Sequence, residues 1–345
     1  MSTNNAPLVS ICCLGYNHGK FIKENIQTVW NSDYDNVEII VMDDGSTDDS
    51  AQILKELAKQ SPCNMQVILQ KNTGNIGHNF NVAMQHARGK YISFISLDDV
   101  LMPDTISACC KILQADKNIA FVASSRVAGI DANGNPYTNI PPLKLDSMSN
   151  VTVDDLLELE YNEVGAFYIQ GAVFRKDIID AVGGFDEDMT GDDIVLRTKI
   201  FRYMQKHSAL SFVILPRPLC MYRQHDSNVH LNSARQIKII TEYMQRYWPD
   251  RPNPQILIDW GLYTLRHLPK EKWYEFFSMN ARALSLLGAP QVIDFLKVMD
   301  VQQYIWLKVP FVLNIFKTKN IITGERNVYV KFCGLKFKVY HKIKH

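Results

Sequence analysis

Tyr91–Pro103, Y-I-S-F-I-S-L-D-D-V-L-M-P, decides how the rest of this 345-residue chain is read. Tyr91 to Ile95 is apolar enough for a buried strand, and Pro103 suits the first turn of a following helix. Between them stand two adjacent carboxylates, Asp98 and Asp99. Aspartate is seldom buried unless it is paired or bound to a cation. In an open α/β sheet the C-terminal rim of the strands is also where ligands bind. A divalent cation carrying a diphosphate would satisfy both acids, and a helix cap beside an exposed side chain is the plainer alternative.

Three more apolar runs lie upstream, Val9–Leu14, Val37–Met42 and Met65–Leu69, and each is followed by a segment with helical spacing of its apolar residues. Short apolar runs alternating with amphipathic helices predict βα units and a mainly parallel sheet. Each run ends in polar or glycine residues: 15–17, 43–48, 72–79 and 96–99. Such ends gather at one rim, which predicts a ligand cleft there. Downstream, a helix is expected over Pro103–Ala115 and strands over Ala120–Ser124, Gly165–Phe174 and Phe212–Leu215, with a helix over Ile194–Tyr203. From about Ser233 the texture becomes helical and rich in Trp and Tyr, with no clear strand until Asn327–Tyr340, which alternates like a hairpin around Gly334.

The composition is that of a soluble globular protein with room for a substantial core. Residues 1–8 do not read as a signal peptide, and the longest apolar stretches are too short to span a bilayer. Seven cysteines without metal or disulfide spacing fit a reducing, cytoplasmic setting. The net charge of +1 hides an asymmetry, because residues 308–345 hold nine Lys or Arg against the single acid Glu325. A cationic tail on a net acidic body can serve an anionic membrane surface, a polyanion or solubility alone. No zinc pattern, basic helix or RNP-like strand points to nucleic acid.

Further candidates for chemistry follow from residue type and place. Asp43 and Asp44 end a strand, where a carboxylate can accept from a nucleobase or ribose, although Asp-Gly-Ser also makes an ordinary turn. Residues 72–77 match neither a P-loop nor a dinucleotide fingerprint. Asp192 and Asp193 open a helix, either as favourable first-turn charge or as a general base. His225, close after Tyr222 and Arg223, is a metal or diphosphate ligand or a structural histidine.

In order, V-S-I-C-C-L-G-Y-N at 9–17, V-M-D-D-G-S-T-D-D-S at 41–50, N-x-G at 75–77, A-R-G-K-Y-I-S-F-I-S-L-D-D at 87–99, G-G-F-D-E-D-M-T-G-D-D at 183–193 and Y-R-Q-H at 222–225 form one series. From about Leu8 to His225 the chain resembles the GT-A-fold glycosyltransferases of family 2, inverting enzymes that use nucleotide-diphospho-sugars. The resemblance implies a Rossmann-like, mainly parallel central sheet flanked by helices, here with a C-terminal helical extension and a short basic β-hairpin. It implies nucleotide contacts at Asp43, Asp44, Tyr16, Asn17, Asn75, Gly77 and Asp98. Asp99, Asp98 and His225 would hold Mn²⁺ or Mg²⁺, and Arg223 would contact diphosphate or acceptor. Asp193 would be the base, paired with Asp192 where the family more often has Glu. The acidic motif is also shortened, with Ser96 and Leu97 where a further Asp is usual, so the ligand count is open.

The organisation expected is a catalytic domain over 1–232, with a nucleotide-sugar half to about 100 and an acceptor half beyond it. A helical subdomain over 233–307 and a basic tail over 308–345 follow. The expected donor is a nucleotide sugar, with UDP favoured, and the acceptor a saccharide or polyprenyl-linked sugar. The tail would add peripheral membrane contact. The alternatives are a degenerate carbohydrate-binding or scaffold relative, and a sugar nucleotidyltransferase, against which G-Y-N-H-G-K at 15–20 replaces the expected glycine-rich basic loop.

Overall fold

The structure is a computed structural model that describes residues 6–137, 140–226, 228, 231–299, 307–309, 313–319, 326–332 and 335–342. The chain divides into two compact units, Met1–Leu231 and Asn232–His345.

The first unit opens with strand, helix, strand, helix in strict alternation: β1 (Val9–Gly15), α1 (Gly19–Trp30), β2 (Val37–Asp43), α2 (Ser50–Gln60), β3 (Asn64–Leu69), α3 (Ile76–His86) and β4 (Tyr91–Ser96). There follow β5 (Val100–Leu101), α4 (Thr105–Ala115), β6 (Ile119–Ser124), β7 (Ala128–Asp131), β8 (Pro136–Tyr137), α5 (Val153–Asn162), β9 (Val173–Arg175), α6 (Lys176–Val182), α7 (Asp193–Lys206), β10 (Ser211–Leu215) and β11 (Cys220–Gln224). Seven strands form one sheet in the order β10-β6-β9-β4-β1-β2-β3. Strands β1 to β4 run parallel, as expected, while β9 pairs antiparallel with both β4 and β6. A second small sheet has the order β5-β11-β7-β8.

Every residue of β1 and of β2 is buried, as a sheet covered on both faces requires. Val9, Ile11, Cys13, Ile39, Val41, Tyr91 and Ile95 join Ile22, Ile26 and Val29 of α1 and Leu54 of α2 in one core cluster. Full burial of such a side chain contributes about 1.5–3 kcal/mol. Glu38, a carboxylate near the start of β2, is bonded by Ser10 Oγ at 2.6 Å and by Arg88 Nη2 at 2.7 Å, while Asp43 ends that strand at the rim.

Two expectations change in extent. The strand expected over Gly165–Phe174 shrinks to β9, with a single bridge from Phe94 to Gln170 before it. The small sheet containing β5, β7, β8 and β11 was not anticipated, because two- to five-residue strands carry too little periodicity to be seen.

The second unit contains α8 (Ser233–Tyr247), α9 (Gln255–His267), α10 (Trp273–Ser278), α11 (Ala281–Ser285) and α12 (Pro290–Met299). Its core holds Tyr243, Met244, Trp273, Phe276 and Phe277, so most of the aromatic texture read in the sequence is packing. Arg282 closes the end of α8 by donating through Nη2 to Met244 O at 3.1 Å. Strands β12 (Leu307–Val309), β13 (Leu313–Lys319), β14 (Arg326–Phe332) and β15 (Leu335–Lys342) pair antiparallel in that order. The expected hairpin is the β14–β15 pair, extended by two strands that begin earlier than Asn327. The hairpin's side chains, which the alternation would sort into an apolar and a cationic face, are not among those described. Among the described residues no helix is long and apolar enough to cross a membrane.

Candidate active site

The register of the parallel strands assembles the rim. Gly15 at the end of β1 pairs with Asp43 of β2, and Leu14 with Ser96 of β4. The turns 15–18, 43–46 and 96–99 therefore leave the sheet side by side. Gly45 allows the middle turn, with φ +73°, and a Cβ there would lie 2.4 Å from the backbone nitrogen of Asn72.

The acidic turn after β4 is held from below by α1. Asn25 Nδ2 donates to Ser96 O at 2.9 Å and to Asp99 O at 2.7 Å. Asp98 and Asp99 then diverge. Nε2 of His225 lies 3.0 Å from Asp98 Oδ2, and Nε2 of His18 lies 3.7 Å from the same oxygen. Ligand atoms of His18, Asp98 and His225 all fall within 4.8 Å of one another. Asp98 Oδ1 and His18 Nδ1 are buried without a hydrogen-bond partner. Buried polar atoms without partners are rare and costly, so the cluster is a ready seat for a divalent cation.

Burial by itself would raise the Asp98 carboxyl, but the hydrogen bond of His225 and the nearby His18 outweigh it and hold the group below the usual range. Burial first, and the charge of Asp98 second, push Asp99 well above that range. Burial also lowers His18, which favours the neutral imidazole with a lone pair to give.

Asp99 is not in the three-residue cluster. Its Oδ1 accepts from the backbone nitrogen of Arg223 at 2.9 Å, which ties β11 to the acidic turn. Arg223 is buried, and its donors are committed: Nε to Asp98 O at 2.7 Å, Nη1 to Asp131 O at 3.1 Å and Nη2 to Glu24 Oε2 at 2.5 Å. Its guanidinium also covers the Phe21 ring, and Phe21 stacks on His225 with centroids 4.9 Å apart. Asn228 fixes the other side of His225 by accepting from its backbone nitrogen at 2.5 Å.

The residues expected at the nucleotide are present at the same rim, and most also brace its loops. Asp43 accepts from Ser46 N at 2.9 Å and from Ser46 Oγ at 2.5 Å. Asp44 Oδ1 accepts from Gln70 Nε2, Thr73 N and Thr73 Oγ1, and Oδ2 from Gly74 N, all at 2.8–3.0 Å. Asn17, with φ +55°, accepts from Thr47 N at 2.8 Å and donates its own backbone N–H to Ser46 Oγ at 2.8 Å. Tyr16 beside it is 45% exposed. Asn75 caps α3 through His78 N and donates Nδ2 to Glu187 O at 2.5 Å. Gly77 lets Phe185 approach, since a Cβ there would lie 3.1 Å from Phe185 Cβ.

The acidic stretch 186–193 is distributed among separate partners. Asp186 pairs with Lys199 at 2.8 Å and Glu187 with His78 at 2.7 Å. Asp192 caps α7 by accepting from Asp193 N at 2.5 Å. Asp193 Oδ1 accepts from Ile194 N at 2.8 Å, and Oδ2 accepts from Arg197 Nη1 at 2.7 Å. Tyr168 and Tyr222, with ring centroids 5.8 Å apart, are raised mainly by burial and further by the charges of both Asp193 and Asp99. These two phenols stand within electrostatic reach of both acidic groups.

His18 was not singled out from sequence, although it directly precedes α1 and follows the rim residues Tyr16 and Asn17. A lone histidine carries no spacing signal, and only the folded rim brings it to Asp98. Asn25 and Arg197, both inside helices, were invisible for the same reason.

Residues 10–183 match the family model described as "Glycosyl transferase family 2". The chain belongs to that family. Its relatives include a chondroitin synthase of Escherichia coli, 37% identical over 39% of this chain and 19% of the synthase. A hyaluronan synthase of Pasteurella multocida is 33% identical over 39% of this chain and 14% of that enzyme. The aligned region thus spans a fifth or less of either synthase. Among solved structures, a mannosyltransferase of Pyrobaculum calidifontis in complex with GDP-Man and Mn²⁺ has a TM-score of 0.53 at 18% identity, covering 86% of this chain and 80% of that one. Staphylococcus aureus TarS 1–349 in complex with UDP-GlcNAc has a TM-score of 0.53 at 14% identity, covering 93% and 96%. At these identities the likeness speaks for the shared GT-A fold.

Proposed function

We propose that this family 2 member is an inverting glycosyltransferase that moves a sugar from a nucleotide-diphospho-sugar to a hydroxyl of a saccharide or lipid-linked acceptor. The observation that carries it is the cluster His18–Asp98–His225 at the strand rim, with Asp98 Oδ1 buried and unpartnered. Two imidazole nitrogens and one carboxylate oxygen suit Mn²⁺ better than Mg²⁺, which prefers an all-oxygen shell. Bound there, such an ion would neutralise charge developing on the leaving diphosphate.

The protein's own groups supply the rest. The exposed ring of Tyr16 offers a stacking face for the base, and Asp43 retains lone pairs for base or ribose after bonding Ser46. A sugar hydroxyl is too weak an acid to attack unaided, so Asp193 takes its proton as the new bond forms. One displacement with one base inverts the anomeric carbon, and no second nucleophilic carboxylate is required. Asp192 caps the helix that carries the base, which fixes where α7 begins. The UDP-linked sugars are the first donors to test, since the TarS structures hold UDP or UDP-GlcNAc, with GDP-linked sugars next, after the mannosyltransferase that holds GDP-Man.

The basic tail extends this reading towards a lipid-linked acceptor on an anionic, cytoplasmic membrane face, where nine Lys or Arg over 308–345 would add attraction. Fractionation of full-length and 1–307 chains tests it; equal soluble recovery overturns it.

The central test is calorimetry of UDP, GDP and a set of UDP-sugars with and without Mn²⁺, followed by turnover of Asp193→Asn. Binding that depends on Mn²⁺, with donor affinity kept and transfer lowered by roughly 100-fold or more in the variant, is expected. Wild-type turnover in the variant would remove Asp193 from the mechanism.

A further inference from the structure

Glu160 and Arg197 are among the most deeply enclosed charged groups described, at 0% and 2% exposure. They come from different helices, α5 and α7, and bond twice: Arg197 Nε donates to Oε1 at 2.6 Å and Nη2 to Oε2 at 3.1 Å. Taking two charges out of water is costly, and a buried pair often gives no more stability than apolar side chains of the same volume. Stability alone therefore does not account for it.

The local chain is arranged around this pair. Val164, a β-branched residue, sits at φ +57°, in the left-handed region that such residues avoid. The turn it makes brings Ala166 N onto Glu160 Oε1 at 3.1 Å. Next to it, Gly165 lies so close that a Cβ would be 3.3 Å from Arg197 Nη2. The Phe167 ring covers the guanidinium, 5.6 Å from its centre.

One guanidinium nitrogen remains, and it leaves the buried pair. Nη1 donates to Asp193 Oδ2 at 2.7 Å, and that carboxylate's side chain is 32% exposed. A rigid, enclosed pair whose last arm ends on a partly exposed acid has the form of a brace. We propose that Glu160 is a positioning residue for sugar transfer: through Arg197 it holds the Asp193 carboxylate in the orientation that receives the acceptor proton. This rests on Asp193 being the base.

The physical reason lies in the shape of guanidinium. With Glu160 taking Nε and one N–H of Nη2, Arg197 meets Asp193 through Nη1 on Oδ2 alone, while Oδ1 accepts from Ile194 N, and together these set the rotamer. A neutral amide at 160 leaves the buried guanidinium short of an anionic acceptor. Arg197 then turns to take Asp193 in a two-point fork, which engages both oxygens and draws the base from its place. A displacement of about 1 Å at a reacting group costs on the order of 100-fold in rate.

The test uses the full-length chain, with UDP release measured from UDP-glucose, UDP-galactose, UDP-N-acetylglucosamine and UDP-N-acetylgalactosamine in the presence of methyl glycosides as acceptors. Glu160→Gln is expected to lower kcat by roughly 10- to 100-fold while donor KM and the Kd for UDP with Mn²⁺ stay within about two-fold. Glu160→Asp keeps the charge on a shorter stem and should recover part of the rate; it also decides the matter should the amide variant not fold. A folded Glu160→Gln chain with wild-type kcat overturns the brace, as does wild-type kcat in Glu160→Asp where the amide variant does not fold, or a loss shared equally by kcat and UDP affinity. Asp193→Asn separates the two ideas. If that variant turns over normally, the base assignment is what fails; if it is inactive while the position-160 variants are unimpaired, only the brace fails.

Discussion

Nε2 of His225 approaches Oδ2 of Asp98 to 3.0 Å across 127 positions of sequence. Asp98 is delivered by the end of a buried parallel strand, and His225 by a short strand of the second sheet that Asp99 and Arg223 tie to the same turn. The adjacent acids thus do different work: Asp98 faces the histidines, and Asp99 fastens the strand that carries one of them.

Removing a member of the cluster should therefore weaken metal binding more than changing Asp99. In calorimetric titration of Mn²⁺, Asp98→Asn and His18→Ala are each expected to lose roughly 10- to 100-fold in affinity or more. Asp99→Asn should lose less. Equal losses at 98 and 99 would make both acids ligands.

Arg223→Met should act on stability. Its guanidinium is buried against Glu24 and two backbone carbonyls, and truncating it leaves those acceptors without their donor. Urea unfolding is expected to show a loss of about 2–4 kcal/mol. Unchanged stability with weakened nucleotide binding would instead place the arginine on the diphosphate.

Gly45→Ala should be among the more damaging single-methyl changes in the rim. The added carbon meets the backbone of Asn72 at 2.4 Å, and φ is +73°, so neither a rotamer change nor a soft neighbour relieves it. A loss of about 2–4 kcal/mol is expected from the two costs together. A thermal midpoint equal to wild type would show that the turn can reshape.

Asp44 predicts a pH signature. Burial would raise its carboxyl, but the bonds from Gln70, Thr73 and Gly74 outweigh that and lower it. A depressed folded-state value means that its contribution is complete above the unfolded value, near 4, and is lost as pH falls through the folded one. Asp44→Asn should be less stable than wild type at pH 7 by about 1–3 kcal/mol, and the gap should close as pH drops below about 4. A gap that stays constant down to pH 2 would mean that its charge does not matter.

Much of the rim could be read directly from the chain. Four apolar runs of strand length, each followed within three residues by Gly, Asn or Asp, dictate parallel strands whose ends converge, because strands inside a covered sheet must be apolar and loops must be polar. Asp43, Asp44, Asp98 and Asp99 were visible for that reason, since each ends a strand or lies within three residues of its end. What those acids do was not visible. Whether a carboxylate meets a histidine, a backbone N–H or an arginine depends on register and on side chains more than a hundred positions away, as with Asp98 and His225. His18, Asn25, Glu160 and Arg197 carry no local pattern, and tertiary packing alone brought them to the rim or to Asp193. The parallel scaffold and the place where its ligands gather can be read from the chain alone, because periodicity and polarity are local properties. Which acid faces the cluster and which serves as a fastening follows from packing in three dimensions, because partnership between charges is a property of distance.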